Sequence, residues 1–220
     1  MPFVIYANVN FVPGKYDEWI AGYKELERYV ISNEPTTHTY YFGTPENYGT
    51  EKRSKTTHML AYEAYGNRED LYTTHLSSPA MNKFLPVALT TMTTGLDLVN
   101  YEDVAGFMDK PGDMTECGII WDTRLTINEA SFEQVLSNLT RLAEWVEKSE
   151  PDTYTFLIHK GLDEENKNEL RVLERYRTRD ALEKHQASAE VLLFFRENKD
   201  AIVRLENRGY LPNGLGWLHR

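Results

Sequence analysis

The sequence lacks the marks of several functional classes. Its 220 residues contain one cysteine, Cys117, so no intrachain disulfide can form, and such usage fits a reducing compartment. That lone thiol reads as a small buried side chain. No run of 18 apolar residues occurs, which leaves no candidate for a transmembrane helix. The opening MPFVIYANVNF carries no basic residue ahead of its apolar ones, so it reads as a strand and not as an export signal. A cytoplasmic location is therefore expected. Positive charge is scarce: 24 Lys and Arg against 34 Asp and Glu give a formal net charge of −10, which argues against a nucleic-acid partner. There is no G-x-G-x-x-G, no Walker phosphate loop, no H-E-x-x-H and no C-x-x-C. The six histidines are scattered. Neither a nucleotide cofactor nor a metal is expected.

What the sequence does have is an internal repeat. LAYEAYGNREDLYTTHLSS, Leu60 to Ser78, returns as VLERYRTRDALEKHQAS, Val172 to Ser188. Glu63 maps to Glu174, Tyr65 to Tyr176, His75 to His185 and Ser78 to Ser188, with one more residue between Tyr and His in the first copy. NEPTTHTYYF from Asn33 resembles SEPDTYTFLI from Ser149, and GFM at Gly106 resembles GYL at Gly209. The order is the same in both halves. DKPGDM, Asp109 to Met114, has linker composition, so the chain divides into 1–110 and 111–220.

Each half carries the same element pattern. Phe3 to Phe11 alternates, with Ile5, Ala7, Val9 and Phe11 on one face, as a strand does. Ile119 to Leu125 repeats this. Trp19, Ile20, Tyr23, Leu26 and Val30 stand at helical spacing, as do Phe132, Val135, Leu139, Leu142 and Val146. Ser131 with Gln134 reads as a capping box. Both helices stop at Glu–Pro, because the residue before proline avoids helical geometry. Strands are expected at 36–42 and 57–65, and again at 153–159 and 169–176. A broken helical region then ends near Thr91 or Asn198, and a last strand comes next at 97–101 or 201–206. The polar stretch Gly43 to Lys55 reads as a lid or a loop. The fold class is therefore α+β: two ferredoxin-like β-α-β-β-α-β plaits, whose sheets could cover one another within one chain. Pairing with a second chain, as a homo-oligomer, stays open.

The motif E-x-aromatic, a turn, then apolar-x-x-His-x-x-Ser, with the Glu–Pro helix end and the tyrosine-bearing strand after it, resembles the antibiotic biosynthesis monooxygenase (ABM) family. The resemblance implies a dimeric α+β barrel, here as a tandem repeat. It also implies a pocket inside a plait, between sheet and helices, and cofactor-independent oxygenation of a phenol- or anthrone-type, polyketide-like aromatic by dioxygen. Relatives with other roles leave two alternatives: a non-oxidative polyketide cyclase, or a non-catalytic binding or structural protein. Haem-binding relatives use a histidine about ten residues after the position of His75; Leu85 and Phe195 stand there instead, so no haem is expected.

Candidate residues concentrate in the first half, where His38, Tyr40, His58 and Tyr62 correspond to Tyr154, Phe156, Glu169 and Leu173 of the second. His75 is the candidate base, since neutral imidazole accepts a proton near physiological pH. The plain alternative is a helix-end histidine bonded to a backbone carbonyl, which its recurrence at His185 favours. His38 and Tyr62 complete the candidate catalytic set. Tyr40, His58, Tyr65 and Asn8 are candidates for binding substrate, and Asn10 shares the face of Asn8. His38 and Tyr40, two apart, are expected on one face. His58 and Tyr62 share the face opposite Glu63 and Tyr65. Glu63 and Glu174 read as structural, and Tyr65 and Tyr176 as core aromatics with tethered hydroxyls.

Overall fold

The computed structural model describes residues 2–49, 52–108 and 117–219. The expected linker Asp109 to Met114 lies outside the described residues. Two compact units are present, one comprising Met1–Tyr101 and Asn213–Arg220, the other Glu102–Pro212.

The first unit holds β1 (Phe3–Asn10), α1 (Tyr16–Asn33), β2 (Thr37–Pro45), β3 (His58–Tyr65), a π-helical turn (Asp70–His75), α2 (Pro79–Thr91) and the start of β4 (Asp97–Met108). The second holds the rest of β4, then β5 (Ile119–Ile127), α3 (Phe132–Ser149), β6 (Thr153–Gly161), β7 (Glu169–Tyr176), α4 (Arg179–Gln186), α5 (Ala189–Asn198) and most of β8 (Ile202–Trp217). Both units are β-α-β-β-α-β plaits, and the fold is α+β as the repeat implied. The hydrogen-bonded strand order β1-β3-β2-β8-β5-β7-β6-β4 closes on itself, the order of an α+β barrel.

The last strand of each half is longer than its hydrophobic pattern suggested. β4 runs to Met108 and β8 to Trp217. The additional length carries each strand into the other unit, so Glu102–Met108 belong to the second unit and Asn213–Trp217 to the first. Two glycines make this register possible. Gly216 has φ +76, and a Cβ there would lie 1.6 Å from the Tyr40 carbonyl oxygen; Gly106 has φ +97, and its Cβ would lie 2.0 Å from the Phe156 carbonyl oxygen. Gly106 thus corresponds to Gly216, not to Gly209, which lies opposite Trp121 in β8.

In each unit one helix lays an apolar stripe on the sheet. α1 buries Tyr16, Trp19, Tyr23, Leu26 and Val30. α3 buries Phe132, Val135, Leu139, Leu142, Ala143 and Val146. Each fully buried large side chain contributes about 1.5–3 kcal/mol. The Ser131–Gln134 capping box does not form: Ser131 makes no side-chain cap. A 3₁₀ turn, Glu129–Ser131, precedes α3, and Asn128 caps that turn by accepting from the Ala130 amide.

The repeated His-x-x-Ser is a helix-starting device. Ser78 and Ser188 accept from the amides of Met81 and Val191 at the starts of α2 and α5, while their own amides donate to the carbonyls of His75 and His185. The extra residue of the first copy has a definite place. Leu76 N–H donates to the Leu71 carbonyl, five residues back, whereas Ala187 N–H donates to Glu183, four back. A π turn absorbs one inserted residue without shifting the chain after it, so His75 keeps the position His185 has. The stretch Gly43 to Lys55 begins as the end of β2 and continues in two 3₁₀ turns, Glu46–Tyr48 and Arg53–Lys55. Tyr48 bonds Thr57 and Arg53 bonds the Asn213 carbonyl, which ties these turns to the unit.

Candidate functional site

The helix-side face of the first sheet is set by register. Tyr40 on β2 and Ile5 on β1 both stand opposite Glu63 on β3. Alternation then puts Met59, Ala61, Glu63 and Tyr65 towards the helices and His58, Leu60 and Tyr62 on the reverse face. His75 comes down onto Glu63 from the end of the π turn, and Glu34 reaches in from the end of α1.

Glu34 owes its position to Pro35. The helix ends at Glu34, whose backbone (φ −117°, ψ 74°) leaves helical geometry and whose amide still donates to Val30, as expected before proline. Its side chain turns inward. Glu34 Oε2 lies 2.8 Å from His75 Nδ1, and both side chains are 2 % exposed. The carboxylate sits at the negative end of the α1 dipole with no basic residue in the last turn, an unfavourable place for an anion. The imidazole compensates. In the tautomer that carries the proton on Nδ1, toward Glu34, Nε2 is the acceptor; Tyr40 Oη lies 3.4 Å from Nε2. Tyr65 donates to Glu63 Oε2 at 2.6 Å, and its ring centroid is 5.8 Å from that of His75. Tyr23 stacks on Tyr40 at 5.7 Å and on Trp19 at 4.5 Å.

Burial raises the pKa of Glu63, against the opposing pull of His75 and the Tyr65 hydroxyl. Burial first and neighbouring Glu63 second push Tyr40 well above the usual phenol value, and the same causes act on Tyr65. Both phenols are therefore neutral hydrogen-bond donors at physiological pH. The space left among Ile5, Tyr23, Tyr40, Glu63, His75 and Phe84 is about 30 Å³.

The second unit repeats the network. His185 Nδ1 lies 2.9 Å from Glu150 Oε2, and Glu150 is again the residue before a helix-ending proline. Tyr176 donates to Glu174 Oε2, and Thr123 donates to Glu174 Oε1 at 2.8 Å. Phe156 replaces Tyr40, so His185 Nε2 faces Glu174 at 3.9 Å instead of a phenol. Burial lowers the His185 pKa, but the Glu150 hydrogen bond and the charges of Glu174 and Glu150 outweigh it, leaving it above 6.5. Burial raises Glu174 despite His185, Tyr176 and Thr123. The cavity beside Glu174 and His185 is about 60 Å³.

Of the seven candidate residues, the structure brings His75, Tyr40 and Tyr65 together. The other four lie elsewhere. His38 is exposed and does not share the face of Tyr40: the β2–β3 register shifts between Thr37 and Thr39, and the extra residue at this bulge breaks the two-residue period. Tyr62 lies on the reverse face with Tyr6, ring centroids 5.1 Å apart, and Tyr6 contacts Tyr101. His58 shares that face, as expected, near Tyr48. Asn8 also faces away from the helices and donates to Asp97 at 3.3 Å; Asn10 donates to Thr94. His75 bonds a carboxylate, not a backbone carbonyl. The residue missed from sequence was Glu34, although NEP and SEP, Asn33 to Pro35 and Ser149 to Pro151, carried the signal in both halves. Among the described residues, no group of three or more His, Cys, Asp and Glu side chains could hold a metal ion, and no helix is long and apolar enough to cross a membrane.

Known proteins share this architecture. A provisionally assigned monooxygenase of Fusobacterium nucleatum is 13% identical, with a TM-score of 0.81 over 99% of this chain and 95% of its own. One from Lactobacillus acidophilus is 12% identical, with a TM-score of 0.77 over 99% and 97%. A protein described as anthrone oxidase-like is 13% identical, with a TM-score of 0.67 over 100% and 94%. At such identities the likeness is one of fold. No curated protein matches the chain. The family model described as antibiotic biosynthesis monooxygenase matches residues 2–86 and again 119–197, well over half of the sequence and once in each plait, so the chain belongs to the antibiotic biosynthesis monooxygenase family as a tandem repeat.

Proposed function

We propose that the first plait carries a cofactor-independent oxygenase site for a flat aromatic of phenol or anthrone type. The observation that supports it is the His75 imidazole, held at Nδ1 by Glu34, with Nε2 beside the neutral Tyr40 hydroxyl. His75 Nε2 removes a proton from the activated ring carbon, and Glu34 stabilises the imidazolium. The resulting carbanion, delocalised as a phenolate or enolate, transfers electrons to dioxygen, and a carbon–oxygen bond forms. Tyr40 donates a hydrogen bond to the oxyanion. Loss of water then leaves a carbonyl: a CH₂ group and O₂ become C=O and H₂O. The substrate supplies every electron, so the step needs no cofactor. The aromatic lining suits both a planar ring system and apolar dioxygen.

A second reading, a non-catalytic small-molecule-binding or structural protein, is supported by the size of the chamber. About 30 Å³ is roughly one water molecule's share of liquid volume, against roughly 300 Å³ or more for ligand pockets. Recurrence of the network around His185 supports it too. Dioxygen uptake with anthrone and hydroxylated anthrones, run with chelator present, decides between them. The oxygenase reading expects consumption above the spontaneous rate that falls about 100-fold or more in His75→Ala. Uptake no faster than buffer, or unchanged in folded His75→Ala, sinks it. Anaerobic conversion to a ring-closed product would instead indicate a cyclase.

A further inference from the structure

Beside α2 lies an apolar groove of about 300 Å³, bounded by α2 and by Met92–Leu96, the segment that joins α2 to β4. None of its lining residues is charged. Three of them, Met81, Phe84 and Leu96, also line the inner chamber at Glu63 and His75. Groove and chamber thus share a wall made by these three residues.

One wall of the groove, Met92–Leu96, is made by length the second plait does not have. From the capping serine to the next strand runs Ser78 to Asp97 in the first plait and Ser188 to Ile202 in the second; α2 has 13 residues and α5 has 10. The additional length is held at both ends. Val12 N–H donates to the Thr91 carbonyl and Thr93 N–H to the Asn10 carbonyl, while Asn8 holds Asp97. Leu96 hangs between these points, next to Gly95, around which there is open space. Leu85, Leu89 and Leu96 are 39, 80 and 37 % exposed, a continuous apolar approach.

A larger surface groove between α1 and α2 is a weaker route. It is bridged by the Lys83–Glu25 ion pair, and opening it means parting two packed helices. The α2 groove shares three residues with the chamber and the α1–α2 groove two, Leu26 and Phe84; among the three is Met81, and methionine adapts at small cost.

We propose that this groove is the entry vestibule for a neutral, flat aromatic bearing a phenol or carbonyl oxygen, with Met81, Phe84 and Leu96 as the wall that parts to admit it to His75. The inference rests on the oxygenase reading for its destination, not for its existence. The uncharged walls exclude anionic ligands, because a charge would leave water unpaired. Thr94, whose hydroxyl accepts from Asn10 and keeps its own proton, supplies a donor for the ligand's oxygen. The volume lies at the lower end of the range for small-molecule sites.

The test uses 1,8-dihydroxyanthraquinone, which cannot be oxidised further at the ring carbon, with binding followed by absorbance in equilibrium dialysis. The full chain is expected to bind it. Leu96→Lys is expected to weaken binding at least tenfold with an unchanged melting temperature. Val203→Lys, on an exposed position of β8 in the other plait, is expected to bind like the parent. If the parent binds and Leu96→Lys matches it, or the parent does not bind, the vestibule is wrong. If anthrone turnover persists undiminished in Leu96→Lys, the vestibule fails and the oxygenase stands. Binding that Leu96→Lys abolishes, without turnover of any anthrone by the parent, keeps the vestibule and sinks the oxygenase.

Discussion

Glu34 and His75 are 41 residues apart in sequence and 2.8 Å apart at Oε2 and Nδ1. The pair closes α1 against the turn that precedes α2, and Glu150 with His185 does the same in the second plait. A carboxylate at a helix C-terminus is tolerated because an imidazole lies against it. Since both copies keep the pair, the pair belongs to the framework. One difference is the residue beside Nε2: Tyr40 in one plait and Phe156 in the other.

Glu34→Gln and Glu150→Gln separate the two roles. Each keeps the shape and replaces the carboxyl that bonds the partner histidine, so comparable losses of stability are expected, about 1.5–3 kcal/mol if the bond is to a charged group. Only Glu34→Gln is expected to lower oxygenase turnover, by about tenfold or more. Equal loss of turnover in Glu150→Gln would mean that the plaits are not functionally distinct.

Tyr40→Phe copies the second plait into the first. The long contact to His75 is lost, so destabilisation of no more than about 1 kcal/mol is expected, a shift of roughly 2–4 °C in Tm. Turnover should fall more than tenfold if the hydroxyl stabilises an oxyanion. A variant with full turnover would remove Tyr40 from the mechanism.

Stability should decline as pH rises, by a route the second plait makes explicit. Glu174 and His185 both have folded-state pKa values above their ordinary ones. The folded chain therefore binds more protons than the unfolded one, and linkage gives a stability that falls with pH. For Glu174 the decline begins near 4.5, and for His185 near 6.5; each ends above its raised folded value, and the two titrate as a coupled pair. Glu63 adds to the acidic part of the window. Thermal melts across pH 4–9 check this, and Glu174→Gln should flatten the lower limb. A melting temperature that climbs from pH 5 to 8 in the parent would contradict the assignment.

Deleting Thr73 should convert the π turn to the α-helical turn of the second plait. Thr73 is exposed, and His75 would keep its register, since Tyr176 and His185 are separated by one residue less. The variant is expected to fold with Tm unchanged or raised. A fall beyond about 4 °C, roughly 1 kcal/mol or more for a chain of this size, would show that the inserted residue is needed for packing.

Gly214→Ala and Gly216→Ala compare two positions of the same left-handed backbone, φ +78 and +76. Both bear the strain of a side chain there, about 1–2 kcal/mol. At Gly214 a Cβ meets nothing within 4 Å, while at Gly216 it collides with the Tyr40 carbonyl. Gly216→Ala should therefore be the more damaging by urea denaturation. Equal midpoints would mean that β8 shifts to relieve the contact.

The sequence by itself determined the doubling, the plait pattern and the ends of the first helix of each half, because these depend on local periodicity and Glu–Pro steps that act within a few residues. It also separated Glu63 and Tyr65 from His58 and Tyr62, since a regular strand alternates. It did not reveal which of the candidates meet. The bulge at Thr37–Thr39 expelled His38, and inter-strand register put Tyr40 opposite Glu63. The inward turn of Glu34 onto a histidine 41 residues later supplied the partner that no local pattern names. Those choices depend on hydrogen bonds and contacts between distant segments, whose geometry exists only once the chain has packed.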